Sequence, residues 1–81
     1  MDMTANKLYN NVFMEVFAIE ESMLGDNFSK EAVKDWDSVH QLNIVALMEE
    51  LFNIMLDPED IMGFTSYVAG KEILKKYDVD L

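Results

Sequence analysis

At 81 residues, 51% hydrophobic and with a formal net charge of -10, the chain has room for one domain, taken as residues 1–81, which buries about 60–65% of its unfolded surface. That size excludes a large enzyme with its own substrate cleft, and the apolar fraction excludes a disordered segment. Six lysines, no arginine and sixteen acidic residues repel phosphate backbones and anionic membranes alike, so the expected partners are proteins with Lys or Arg patches rather than nucleic acid or membrane.

With no cysteine, the chain offers no disulfide framework, thiolate metal site or thiol nucleophile. Met1, Asp2 and Met3 do not form the basic start of a signal peptide, and no apolar run reaches the ~18–20 residues of a membrane span. A cytoplasmic monomer is the expectation.

The first helix is expected from about Thr4 to Glu21, where Ala5, Leu8, Tyr9, Val12, Val16 and Ile19 recur at helical spacing, with Met23 one turn further and Thr4 as N-cap. Met14, Phe17 and Ala18 fall off that stripe, toward the loop that follows. From Ser22 to Trp36 the period fails around Gly25, Asp26 and Asn27, which predicts a long loop pinned by Phe28, Val33 and Trp36, with one short helical turn near Lys30 to Lys34.

A second helix is predicted from Ser38 to Phe52, started by Asp37 and Ser38. At about 100° per residue, Gln41, Ile44, Val45, Met48, Leu51 and Phe52 share the core face. Ser38, Val39, Leu42, Asn43, Ala46, Glu49 and Glu50 face solvent, so apolar side chains stand among polar ones on an open surface. Asn53 to Leu56 reads as a connector, and Asp57-Pro58-Glu59-Asp60 as the capped start of a short helix that stops at Gly63. The last helix begins at Thr65 or Ser66 and aligns Tyr67, Gly70, Ile73, Leu74 and Tyr77. Gly70 in its interior implies a close helix crossing, and Glu72 and Lys76 form a favourable pair. No strand periodicity is present, so the fold class is all-α, a small four-helix bundle.

The segment that concentrates chemistry is Asp35-Trp36-Asp37-Ser38-Val39, where a long loop delivers a serine to a helix start. A catalytic serine needs a base, and the only histidine, His40, lies roughly 200° round the helix. His40 has no second His or Cys to complete a metal site and reads as an exposed first-turn residue. A calcium loop fails as well, because Asp26 and Asn27 are not followed by alternating ligands, a central Gly or a closing Glu.

The Asp37-Ser38-Val39 string resembles the Asp-Ser-Leu attachment motif of the acyl carrier protein family, with Val39 in place of leucine. The likeness extends to Glu49, Glu50 and Phe52 at the end of the same helix, to Asp57-Pro58-Glu59-Asp60 and to Phe64-Thr65-Ser66, and it covers about Leu8 to Leu74. The resemblance implies a 4'-phosphopantetheine arm on Ser38, donated by coenzyme A through a Mg-dependent phosphopantetheinyl transferase. The arm carries an acyl or aminoacyl group as a thioester between loading and transfer enzymes with basic docking patches, and the carrier itself catalyses nothing. A helix N-terminus favours an attached phosphodiester; without the surrounding pattern, Ser38 would read as a simple helix cap. Asp37 reads as an N-cap, and the resemblance implies a contact for a basic residue of the transferase, two compatible roles; Trp36 is either a loop anchor or a partner selector. Gln41 either rests at the core edge in water or lines the mouth of a cargo groove. Recognition is expected from Val39, Leu42, Ala46, Glu49, Glu50 and Trp36. His40 and Asn43 stand where fatty-acid-type carriers have acidic residues, which favours a dedicated pathway. The rival reading is an acidic helical adaptor that binds partners through Val39, Leu42 and Ala46 without a prosthetic group.

Overall fold

The computed structural model describes residues 4–81; Met1 to Met3, read above for a signal segment, lie outside the described residues. Helix α1 spans Ala5–Phe17, α2 Ser38–Phe52, α3 Pro58–Gly63 and α4 Tyr67–Lys75, with a 3-10 turn at Glu21–Met23. Among the described residues there is no β-strand, and no helix is long and apolar enough to cross a membrane. Helix α1 packs on α2, and α3 on α4.

Thr4 caps α1 by accepting from the Lys7 N–H at 3.2 Å. The helix stops at Phe17, before the expected Glu21, because Ala18 turns left-handed (φ 53°) and its N–H bonds to the Met14 carbonyl. Glu21 then doubles back instead of extending the helix. Its two oxygens receive Lys7 Nζ and Asn10 Nδ2, each at 2.9 Å, and these bonds hold its carboxyl below the usual range, the Asn10 bond contributing most.

Tyr9 and Val12 of the expected stripe are buried, but the centre of the core is Phe13, which the stripe omitted. Phe13 sits one turn beyond Tyr9, and its ring lies within 5.1–6.4 Å of those of Tyr9, Phe17, Phe28, Trp36, Phe64 and Tyr67. Two hydroxyls buried in this aromatic interior are satisfied by bonds between distant segments. Tyr9 donates to the Tyr67 carbonyl, and Tyr67 to Asn10 Oδ1, both at 2.5 Å. Burial, reinforced by Tyr67, pushes the Tyr9 phenol pKa up.

The loop between α1 and α2 is held at its middle. Tyr67 N–H donates to the Phe28 carbonyl at 2.9 Å and Lys30 N–H to Thr65 at 2.8 Å, forming an isolated bridge at Ser29 and Ser66. The short helical turn expected near Lys30 is present only as hydrogen-bonded turns, with Val33 N–H reaching Ser29 O at 2.9 Å.

Helix α2 has the expected limits and closes on left-handed Asn53 (φ 55°). Leu51, expected in the core, is 41% exposed, and Leu56 and Phe64 are buried. The connector leaves α2 at an angle that Glu49 fixes by accepting from the Leu56 N–H at 2.9 Å.

Asp57 adopts the cap conformation before α3 but makes no side-chain cap bond. The buried acid of this helix is Asp60, which takes Lys76 Nζ at 2.6 Å and the Tyr77 hydroxyl at 2.5 Å. Lys76 therefore pairs across to α3 rather than with Glu72, whose partner is Lys75 at 3.5 Å. Ser66 caps α4. A Cβ on Gly70 would collide with the Tyr9 hydroxyl and the Phe64 ring, so the space that this glycine leaves is filled by two aromatic side chains rather than by the close helix crossing expected there.

Candidate functional site

The site is built outward from Trp36. Its ring is 3% exposed and lies 5.4–5.9 Å from those of Phe17, Phe28 and Phe13, which anchors the end of the loop two residues before α2 begins. Its indole N–H meets no acceptor among the described residues. Trp36 is thus an anchor inside the core, and its inclusion among the partner-facing residues is corrected.

Asp37 follows in extended conformation and caps α2, its Oδ1 accepting from the His40 N–H at 2.9 Å. The same oxygen lies 2.8 Å from His40 Nδ1. These contacts lower the Asp37 carboxyl pKa, the backbone N–H of His40 contributing most. His40 is half-buried rather than exposed, with its ring stacked on Phe17 at 5.4 Å and 13° between planes. Because Asp37 supplies the capping oxygen, Ser38 occupies the first helical position without serving as the cap. Its side chain is exposed at the positive end of a 15-residue helix.

Beside Ser38 opens a pocket of about 280 Å³ whose walls are Lys30, Gln41, Leu42, Ile61 and Met62. Gln41 is buried, and its Nε2 donates to the Ile61 carbonyl at 2.8 Å, tying α2 to α3 at the pocket wall. Its amide therefore does not rest in water at the core edge. Lys30 provides a cation at the rim, and Met62 is 77% exposed. Sequence reading missed Lys30, Ile61 and Met62 as neighbours of Ser38. They come from the loop and from α3, and no local pattern connects them to the Asp-Ser-Val string.

The remaining partner-facing residues divide. Val39 and Leu42 stand 61% and 58% exposed on the Ser38 side, joined by exposed Ala46. Glu49 is half-buried, and one of its carboxylate oxygens accepts from the Leu56 N–H. Glu50 is exposed, yet it borders a different groove, between α1 and α2. Comparison with protein-family models, curated proteins and solved structures gives no match for this chain.

Proposed function

We propose that this chain is an acyl carrier protein in which Ser38 bears a 4'-phosphopantetheine arm. The observation that carries the reading is an exposed serine at the first position of a helix already capped by its neighbour Asp37. Such a hydroxyl is accessible to a modifying enzyme, and its loss to modification costs the helix no cap.

The surroundings suit the group. The positive end of the α2 dipole and the Lys30 ammonium favour a phosphodiester on Ser38. Leu42, Ile61 and Met62 offer apolar surface to the arm, and Gln41 holds α2 to α3 behind them. When bound, the arm supplies a thiol that carries an acyl or aminoacyl group as a thioester, chemistry that a cysteine-free chain lacks. Val39, Leu42 and Ala46 would meet the transferase and the loading and transfer enzymes.

The same exposed Val39 and Leu42 would also serve an adaptor with no prosthetic group, and one experiment separates the two. With coenzyme A, Mg and a broad-specificity phosphopantetheinyl transferase, the protein should convert to a single species heavier by one arm, read by intact mass spectrometry. Ser38→Ala should abolish conversion while leaving helicity by circular dichroism unchanged. Modification at Ser22, Ser29 or Ser66, or none at all, would leave the adaptor reading in place.

A further inference from the structure

On the side of α2 away from Ser38, helices α1 and α2 leave a groove of about 380 Å³ between them. Its floor is Val12, which is buried, and its walls are Leu8, Leu47 and the 41%-exposed Leu51. Ser38 and Leu51 stand at opposite ends of a 15-residue helix, so at a rise of ~1.5 Å per residue the groove lies about 20 Å along α2 from the attachment serine. A partner can fill it without covering Ser38.

The rim is polar in one sense only. Glu15 projects from α1 and Glu50 from α2, with Asn11 between the apolar walls, and no lysine borders the groove. Lys7, on the same helix as Leu8, is drawn away to Glu21 at 2.9 Å. Two carboxylates flanking an apolar trough repel a second copy of a chain whose net charge is -10 and repel an anionic lipid surface equally. They attract a cationic segment that has apolar side chains to bury. The two helices form a seam onto which a third helix can pack by ridges and grooves.

We propose that the α1–α2 groove is a second interaction surface, which receives an amphipathic basic helix of a partner protein. An apolar side chain of that helix seats on Val12 between Leu8, Leu47 and Leu51, and Lys or Arg side chains on either side pair with Glu15 and Glu50. This surface is separate from the Ser38 face and does not require the chain to carry a prosthetic group.

The test is amide chemical-shift mapping on the 81-residue chain with a synthetic helical peptide of leucine and lysine, its leucines at i, i+3, i+4 and i+7. A counterpart peptide has glutamate in place of every lysine. The lysine peptide should shift resonances of Leu8, Val12, Glu15, Leu47 and Leu51, and the glutamate peptide none. Leu51→Asn, at a site exposed enough to leave the fold intact, should weaken binding about tenfold by removing an apolar contact. Glu15→Gln with Glu50→Gln should weaken it about three- to tenfold, as expected for two exposed ion pairs. Val39→Asn with Leu42→Asn should leave the affinity unchanged. Shifts confined to the Val39–Leu42 face, shifts scattered over the acidic surface, equal binding of the glutamate peptide, concentration-dependent self-association through the groove, or no binding would each overturn the proposal. Ser38 modification is read separately by mass, so failure here and failure of the carrier reading are distinct results.

Discussion

Ile44, Val45 and Met48 on one face of α2 and Val39 and Leu42 on the other are comparably apolar, yet the first three are buried and the other two stand 61% and 58% exposed. The buried set meets the aromatic interior around Phe13 and the connector at Leu56. The exposed set surrounds Ser38 and the pocket made with Met62. Exposed apolar side chains occur elsewhere on the molecule too, at Met23, Met55 and Val68, so what sets the Val39–Leu42 surface apart is its position. It rings the one serine that stands at the first position of a helix already capped by its neighbour.

The contrast breaks most decisively at Val45. Val45→Asp places an unpaired carboxylate in the core at a cost of several kcal/mol, a large share of the roughly 5–15 kcal/mol that a domain has in all. A cooperative thermal melt by circular dichroism should be lost. If the variant melts cooperatively near the wild-type midpoint, the buried face has been assigned to the wrong side of the helix.

A smaller effect is expected where a charge is buried with its partners present. Asp60 is held below its ordinary pKa of 3.8 by the Lys76 bond first and the Tyr77 hydroxyl second. A carboxyl depressed by folding contributes stability that is present above its ordinary pKa and lost as pH falls through the folded one. The wild type should therefore exceed Asp60→Asn in urea midpoint by most at neutral pH, with the gap closing as pH drops below 3.8. A gap independent of pH would mean that Asp60 contributes packing and not charge.

The smallest effect belongs to the open face. Leu42→Asp should keep its helicity and shift stability by no more than about 1 kcal/mol, as for an exposed site, measured by the same urea titration. Under the proposed reading it should slow Ser38 modification by the transferase, because an apolar contact is lost where the enzyme docks. Leu42→Asp unfolding while Val45→Asp is tolerated would reverse the two faces of α2.

The site was legible in part. The Asp37-Ser38 helix start and both limits of α2 could be read from the chain, since a cap, a periodic face and a stop signal all act within a few residues of one another. The end of α1 could not. Nothing near Ala18 marks it as left-handed, and the bonds that accompany the turn run from Glu21 back to Lys7 and Asn10. Asp60 read as a first-turn acid of α3, and only the return of α4 shows why it is buried.

The sequence by itself determined the helical class, the position of α2, the exposure of Ser38 and the net acidity of the chain, because propensity, capping and net charge are local or additive quantities. Tertiary structure decided which of several equally apolar residues became core, and it placed Phe13 at the centre. It also brought Lys30, Ile61 and Met62 to the serine, buried Trp36, tied Glu49 to the connector and opened the groove under Leu51. The deciding contacts join residues far apart in the chain, such as Tyr67 to Asn10 across 57 positions and Gln41 to Ile61 across 20. Contacts of that range form only when the helices pack, so they leave no periodic trace in the sequence.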